Sequence, residues 1–417
     1  MSTRETAGTA GDQERPEKVA VVLSGAAARG AFQAGALAAL VPALEREGLR
    51  PTVWLGTSAG SINSAVWGSL AHLDVTSAAE RTVELWQEMG HDDVYRPLPV
   101  SLPRTGLEYA AGALLGVGPG TISLLDTSPL RRTAHERLDA DSLHRNITEG
   151  RLDAVGVVAT RMPSEADAVV VGAASGRSVI FLDEHRRSGY AGDPDRALDV
   201  HRGPIVADHV LASSAIPVAF PAVRVDRPAP ATGWYVDGGV RLNTPLHPAV
   251  GLGATKVVVV SATSTTYAAS PPPALDVERP DVADAAAQVM HAVLADRTTE
   301  DLRALRRTNR LVAQAGAAGR VLTRSSGEPY RAVEVMTVSP PVGEMARLAA
   351  ETYARRTQGL GRLTELDNWL LGRALRGAGD GVGRRELLSY LLFDEEYFAA
   401  GIELGRRTAE ATLAMGW

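Results

Sequence analysis

The sequence has no cysteine among its 417 residues. Disulfide bonds, thiolate nucleophiles and cysteine-bound metals are therefore excluded, and the composition fits a reducing compartment. No run of 18 or more apolar residues occurs, so the sequence predicts no membrane-spanning helix. Residues 1–17 are polar and lack the apolar segment of a signal peptide. We expect a cytoplasmic protein whose residues 1–17 form a disordered tail.

An excess of positive charge is also missing. Lysine and arginine number 43 against 49 aspartate and glutamate residues, giving a net charge of −6. This balance does not favour non-specific binding to nucleic acid or to an anionic membrane, and we expect no nucleic-acid partner. Aromatic residues make up only 5% of the chain, but the apolar fraction of 45% is ordinary for a globular protein. The length allows one large domain, alone or with an appendage.

The most informative stretch that is present is GTSAG at residues 56–60, the one G-x-S-x-G motif in the chain. A short extended run precedes it and a small-residue segment that predicts a helix follows. Strand, turn and helix in this order are the context of a nucleophile elbow, the sharp turn that presents a catalytic serine. Gly56 and Gly60 fit such a turn because a Cβ there would collide with the neighbouring strand or helix. Ser58 is the candidate nucleophile, placed near a helix N-terminus where negative charge is favoured.

A second candidate element is the loop SGAAARG at residues 24–30, which follows an apolar strand predicted over residues 18–23. Free backbone N–H groups in such a turn bind anions. A pyrophosphate is disfavoured because the next strand enters the elbow and does not end in an acidic residue. The oxyanion of an acyl-transfer intermediate is the alternative, stabilised by this loop and by the amide of Ala59. A cation near the positive end of a helix is unfavourable, which favours a structural or catalytic role for Arg29.

The base that would activate Ser58 is less clear from the residues alone. Asp237 followed by His247 or His291 would satisfy the chain order of a Ser-Asp-His triad. Both histidines lie in segments that predict helices, where packing or surface roles are more common. Asp237 ends a predicted strand and precedes two glycines that allow a close turn, and a partly desolvated carboxylate could act as the base directly. Ser213 and Ser214 belong to no elbow and are interpreted as structural.

The order of elements predicts the fold class. The chain opens with a strand, a loop, a helix, the elbow strand and a second helix, which favours a right-handed crossover and a parallel sheet. Lys256–Ser261 predicts a further parallel strand. Three more strands, of unassigned direction, are predicted at Leu152–Ala159, Ala168–Val171 and Ser178–Leu182. Residues 183–204 are charged and predict a surface loop. From residue 343 onward the sequence is mostly helical in pattern.

Four motifs in a fixed order resemble those of the patatin-like phospholipase family. They are SGAAARG at 24–30, GTSAG at 56–60, ASSAIP at 212–217, and DGG at 237–239 with NTP at 243–245. The similarity spans about residues 18–262, and the tail, including SYLLF at 389–393, is similar to bacterial members. The resemblance implies a three-layer α/β/α fold with a mainly parallel sheet. It also implies a catalytic core over 18–262 and a mainly helical extension over 263–417 packed on that core.

The resemblance further implies a Ser58–Asp237 dyad that needs no cofactor and no metal. The implied oxyanion hole comprises Gly25, Ala26, Ala27, Arg29, Gly30 and Ala59, and the implied turn glycines are Gly56, Gly60, Gly238 and Gly239. The family's first loop usually has three consecutive glycines, whereas alanine stands here at positions 26 and 27. Alanine adopts a positive φ with difficulty, so activity would be weakened if the hole requires that conformation and unaffected if the loop is helix-like.

The implied function is hydrolysis of fatty-acyl esters of lipids, of phospholipase A or lysophospholipase type. Two alternatives stay open: an esterase with a Ser-His-Asp triad, and a catalytically weak regulator that binds lipid or nucleotide. The expected partner is a lipid or acyl-ester substrate, with transient contact to a membrane surface. Arginines 303, 306, 307 and 310 recur at helical spacing, which is typical of a solvated face or of a surface that approaches anionic headgroups.

Overall fold

The computed structural model describes residues 17–96, 123, 125–163, 176–217, 219–265, 285, 287–288, 297–323, 329–357 and 381–417. The tail predicted over residues 1–17, except for Glu17, lies outside this part of the chain. So do the strand predicted at Ala168–Val171 and the candidate base His291.

The described residues form one mixed sheet. Its strands are β1 Val19–Leu23, β2 Pro51–Thr57, β3 Ala154–Arg161, β4 Arg177–Glu184, β5 Leu198–Arg202, β6 Val223–Val225, β7 Gly233–Asp237, β8 Lys256–Val260 and β9 Glu334–Val338. The main path runs β5-β4-β3-β2-β1-β8-β9. Strands β3, β2, β1, β8 and β9 pair parallel to one another. The sheet is therefore mainly parallel, and the parallel strand predicted at Lys256–Ser261 is confirmed.

Helices cover the sheet and account for much of the remaining described chain. They are α1 Gly30–Arg46, α2 Ala59–Leu70, α3 Val75–Gln87, α4 Ser128–Arg137, α5 Ala140–Thr148, α6 Ala207–Ser213, α7 Leu246–Gly251, α8 Arg297–Ala317, α9 Glu344–Thr357, α10 Val382–Leu391 and α11 Glu395–Leu413. The sheet order and these helices confirm the predicted α/β fold class.

Two hydrophobic cores lie on opposite faces of the sheet, as alternation along a strand requires. Val21 and Leu23 of β1 belong to the core that also contains α1, α2 and α11. Ala20 and Val22 belong to the other core, which includes residues of α7 and α8. Because both faces of β1 are buried, its sequence is continuously apolar. The arrangement is three layers, α/β/α, with the sheet in the middle.

Helix α1 is the helix around which the first core is built. The stretch Ala27–Arg46 has the length and mean hydropathy of a membrane span, but 78% of it is buried within the protein, as in the core helix of a soluble protein. Helix α11 packs along α1 with the two backbones nearly touching. A Cβ on Gly35 would lie 2.0 Å from the carbonyl oxygen of Ile402, and one on Gly405 would lie 2.1 Å from that of Phe32. Glycine is required at both positions because of this close approach.

The prediction of a surface loop over residues 183–204 is wrong in part. Strand β4 extends to Glu184, and β5 pairs parallel to β4 from Leu198 to Arg202. Only two of the five residues in the sequence LDVHR are apolar, and four of its five side chains are partly exposed. An outer strand with one face only partly covered carries little of the hydrophobic signal by which strands are recognised.

Candidate active site

Ser58 occupies the sharp turn between β2 and α2. Its backbone has φ 55° and ψ −129°, a strained conformation of the kind found at a nucleophile elbow. A Cβ on Gly56 would lie 2.1 Å from the carbonyl oxygen of Gly60, and one on Gly60 would lie 2.5 Å from that of Leu23. The two motif glycines are therefore needed for close backbone packing. The strand–turn–helix context predicted for GTSAG is confirmed.

A second serine, Ser213, holds this turn by a hydrogen bond to its backbone. The N–H of Ser58 donates to Ser213 Oγ at 2.8 Å, and that hydroxyl donates in turn to the carbonyl oxygen of Val158 at 2.5 Å. Ser213 ends α6 and is fully buried. The structural role expected for Ser213 thus consists of fixing the nucleophile's backbone to the neighbouring strand β3. Its neighbour Ser214 is also buried, and its hydroxyl has no hydrogen-bond partner in the described part of the chain.

Asp237 is the last residue of β7, which pairs antiparallel with β3. Its backbone is held on both sides: its N–H donates to Ala215 at 2.8 Å, and its carbonyl oxygen accepts from Thr160 Oγ1 at 3.0 Å. The carboxylate Oδ1 accepts from the N–H of Gly239 at 2.7 Å, which closes the DGG turn. The Asp237 side chain therefore has a fixed position near the end of β2, which Ser58 follows.

Burial raises the pKa of Asp237 from 3.8 to about 6. Hydrogen bonding from the Ser58 side chain and from Gly239 opposes this rise but does not cancel it. Oδ2 has no partner of regular hydrogen-bond geometry among the described residues, so the Ser58 contact is a loose one. Loose catalytic hydrogen bonds are common before substrate binds. A carboxylate with this pKa beside a serine hydroxyl is ionised at neutral pH and basic enough to accept a proton.

The loop at residues 24–30 lies directly beside the nucleophile. A Cβ on Gly25 would lie 3.4 Å from Ser58 Cβ and 2.3 Å from Asn243 Oδ1. The N–H of Gly25 donates to Asn243, to the backbone oxygen at 3.1 Å and to Oδ1 at 3.0 Å. Gly25 therefore anchors the loop to the segment after Asp237. Asn243 was visible in the NTP motif, but no role could be assigned to it from the sequence.

The conformation of the two alanines answers the question that the sequence left open. Ala27 has φ 47°, in the left-handed region that favours glycine, whereas Ala26 has φ −143° and is unstrained. A 3₁₀ turn follows over Ala27–Arg29, closed by the bond from Arg29 N–H to the Ala26 carbonyl at 3.0 Å. The chain thus keeps the left-handed turn at position 27 with alanine in place of glycine, at a cost in backbone strain.

Arg29 is buried, and its guanidinium points to helix α10. It donates to Ser389 and Tyr390, forms an ion pair with Glu386, and lies 3.9 Å from the centre of the Tyr390 ring. Gly30, the next residue, packs beside Ala59 and Trp86, where a Cβ would lie 2.4 Å from the Trp86 ring. The side chain of Arg29 therefore connects the loop to a distant part of the chain.

Of the two candidate histidines, His247 lies in the described part of the chain, on a helix. His247 is at the start of α7, its side chain is 47% exposed, and its Nδ1 is 3.4 Å from Asp193. Asp193 belongs to the turn before β5, beyond β4 in the sheet. This placement favours the surface role over the triad role for His247. Within the described residues, no three histidine and acidic side chains are grouped closely enough to hold a metal ion.

A small apolar pocket lies between α2, α3, α4 and α6. Its volume is about 60 Å³, several times the roughly 10–15 Å³ that one water needs. Ile62, one turn after the nucleophile, and Ser214, next to the serine that holds it, are in its wall. Trp86 and Val210 line it further along. The pocket could hold an apolar group, and it reaches to within one helical turn of Ser58 along α2.

Comparison with known proteins identifies the class to which this site belongs. The model of the family described as patatin-like phospholipase matches residues 21–250, more than half of the chain. The chain therefore belongs to the patatin-like phospholipase family, and the resemblance seen in the ordered motifs is confirmed. Membership supports lipid acyl hydrolysis as its general activity.

One solved structure that aligns with the chain is full-length ExoU from the type III secretion system of Pseudomonas aeruginosa, in complex with SpcU. The identity is 16% and the TM-score 0.25, with 96% of this chain and 79% of that chain covered. So low a TM-score supports no conclusion about the present protein. Among curated proteins, no significant match was found.

Proposed function

We propose that the protein is a serine acyl hydrolase in which Ser58 and Asp237 form a catalytic dyad. The observation that carries the proposal is the buried carboxylate of Asp237, with a pKa of about 6, in contact with a serine at a strained strand–helix turn. Ser58 Oγ attacks the ester carbonyl carbon while its proton passes to Asp237. The tetrahedral intermediate then expels the alcohol, which takes the proton from Asp237, and an acyl-enzyme remains.

Water completes the cycle by attacking the acyl-enzyme carbonyl. Asp237 accepts a proton from this water and returns it to Ser58 Oγ when the second tetrahedral intermediate collapses. The products are the fatty acid and the regenerated enzyme. One carboxylate serves both half-reactions, so it must be ionised at the start of each.

The amides of Ala26, Ala27 and Ala59 are the proposed donors to the oxyanion. Gly25, whose N–H is bonded to Asn243, anchors the loop that carries the first two. Ala59 begins α2, so its amide lies at the positive end of that helix. Loss of one such donor typically costs on the order of 3 kcal/mol of transition-state stabilisation.

The proposed substrate is a fatty-acyl ester of a phospholipid or lysophospholipid. The small apolar pocket supports this choice, because it places an apolar environment one helical turn from Ser58. Since its volume is about 60 Å³, only a short segment of an acyl chain would fit within it. The rest of the chain would extend beyond its mouth.

The test compares the wild type with Ser58→Ala, Asp237→Asn and His247→Ala. Fatty-acid release from phospholipid vesicles and hydrolysis of a short p-nitrophenyl ester would be measured together with labelling by a fluorophosphonate. We expect both dyad variants to lose at least ~10³-fold in kcat/KM. Ser58→Ala should not label at all, and His247→Ala should remain within about twofold of the wild type.

Two results would contradict the proposal. An inactive His247→Ala variant that folds normally would support the triad instead of the dyad. A wild-type protein that neither turns over nor labels would support the regulator, in which the loop binds a ligand without chemistry.

We also propose transient contact with an anionic membrane surface from a cytoplasmic location. Arg306, Arg307 and Arg310 are exposed on the outer side of α8, while Leu302 of the same helix is buried. Replacing these three arginines by glutamine should reduce sedimentation with anionic vesicles, and binding to zwitterionic vesicles should not change. Equal binding of both proteins to anionic vesicles would refute this contact.

A further inference from the structure

Arg29 occupies a position that is unfavourable for a cation unless something compensates it. It precedes the first residue of α1, where the helix dipole is positive, and only 5% of its side chain is exposed. A buried charge at such a place requires partners that supply both hydrogen bonds and opposite charge. The sequence around residue 29 offers none, since the loop before it is built of small residues.

Helix α10 supplies all of these partners. Arg29 Nε donates to Ser389 Oγ at 2.9 Å and Nη1 donates to the Tyr390 hydroxyl at 3.1 Å. Nη2 contacts both Ser389 and the Glu386 carboxylate. Every guanidinium nitrogen thus has a partner on one helix, and Glu386 is the anionic one.

The partners are themselves fixed. Ser389 donates to the carbonyl oxygen of Glu386 at 2.5 Å, and its own carbonyl oxygen accepts from the Tyr397 hydroxyl at 3.0 Å. Tyr397 belongs to α11, which packs backbone to backbone on α1. The position of the Arg29 side chain is therefore determined by two helices.

The backbone of Arg29 transmits this position to the loop. Its N–H closes the turn on the Ala26 carbonyl at 3.0 Å, and Ala27 lies inside that turn with a strained φ of 47°. A strained conformation persists only where the surrounding structure holds it. If Arg29 moved, residues 26 and 27 would relax, and the amides proposed as oxyanion donors would be displaced.

We infer that Glu386 is a positioning residue for the acyl-transfer reaction: with Ser389 and Tyr390 it holds Arg29, and through Arg29 it fixes the proposed oxyanion donors at residues 26 and 27. This inference rests on the proposed function, because it assigns those two amides to the transition state. Glu386 does not touch substrate. Its effect reaches the reaction through one guanidinium and one backbone turn.

The test is a double-mutant cycle with Glu386→Gln, Arg29→Met and the variant carrying both. Arg385→Gln is the matched control, since Arg385 is exposed on the same helix. Ser389→Ala serves as a second probe of the same contact in case Arg29→Met fails to fold. Hydrolysis of a p-nitrophenyl ester is measured and divided by the number of sites that a fluorophosphonate titrates, so that unfolded protein does not count.

We expect Glu386→Gln and Ser389→Ala to lower kcat per titrated site roughly tenfold or more, with KM within about twofold of the wild type. The double variant should be no slower than Arg29→Met alone, because Glu386 acts through that residue. Arg385→Gln should match the wild type.

Unchanged kcat per titrated site in both Glu386→Gln and Ser389→Ala would overturn the positioning role and leave the dyad intact, even if fewer sites titrate or the proteins melt earlier. Additive losses in the cycle would also overturn it. A wild-type protein that neither hydrolyses the ester nor labels would overturn the proposed function, and the positioning role with it.

Discussion

The backbone N–H of Ser58 and the hydroxyl of Ser213 form a hydrogen bond of 2.8 Å that joins the nucleophile's turn to the end of another helix. The bond satisfies an amide in a turn whose geometry is strained. Because Ser213 also donates to Val158, its side chain connects the turn after β2 to the neighbouring strand β3.

We predict that Ser213→Ala lowers kcat roughly tenfold or more, since the nucleophile would lose its fixed orientation. Leaving a buried N–H without a partner should also lower the free energy of unfolding by about 1–3 kcal/mol. Ser64→Ala is the matched control, because that hydroxyl is also buried without a partner in the described part of the chain and does not line the apolar pocket. Equal kcat values for the two variants would show that the bond does not orient Ser58.

The pH dependence of activity follows from the raised pKa of Asp237. The base must be ionised, so kcat/KM should rise about tenfold per pH unit below pH 6 and level off above pH 7. A profile from pH 4.5 to 8.5 with a p-nitrophenyl ester measures this. The ionisation enthalpy of a carboxyl group is small, so the midpoint of the pH profile should hardly change with temperature. A midpoint that shifts strongly on warming would point to an imidazole.

The same carboxyl should make Asp237→Asn more stable than the wild type at high pH. The folded pKa of about 6 exceeds the ordinary 3.8, so the stability that the protonated carboxyl contributes is complete below pH 4 and is lost as the pH rises through 6. That difference corresponds to about 3 kcal/mol at pH 8. The free energy of unfolding can be measured in urea at pH 4 and at pH 8. The difference between Asp237→Asn and the wild type should shift in favour of the variant by about this amount from pH 4 to pH 8. A gap that is independent of pH would contradict the raised pKa.

Ala27→Gly should stabilise the protein, although glycine usually does the opposite. The left-handed conformation costs alanine about 1–2 kcal/mol, which glycine would not lose. Glycine loses more conformational entropy on folding, and this offsets part of the stabilisation. We expect a net increase of about 0.5–1 kcal/mol in the free energy of unfolding, measured in urea. Ala26→Gly, at an ordinary φ, should lower it by about 0.5–1 kcal/mol. Two shifts of the same sign would be inconsistent with strain at residue 27.

Some parts of this structure follow from local sequence and others do not. The elbow and the first strand were predictable because glycines and apolar residues report a close turn and a doubly buried strand within a few positions. Strand β5 was missed because its side chains are mostly charged and partly exposed. The loop conformation at Ala27 was left open, since the sequence does not show whether the backbone there is helix-like or left-handed.

The partners of Arg29 could not be predicted from sequence patterns. Glu386 is 357 positions away, and it reaches the loop through tertiary packing that includes α11 on α1 and α9 on α10. The sequence did indicate that a cation at position 29 needed a reason to be there. It also singled out SYLLF as part of the resemblance, without showing what these residues contact.

The separation between Arg29 and its partners has a consequence during protein synthesis. A ribosome adding about 5–20 residues per second needs roughly 20–70 s to advance from one to the other. During that interval the elbow and then Asp237 are synthesised, but α10 is not yet present to hold the guanidinium of Arg29. The proposed oxyanion donors at residues 26 and 27 would therefore be fixed only late in translation, and a truncated product ending before residue 382 would lack every partner that holds the Arg29 guanidinium.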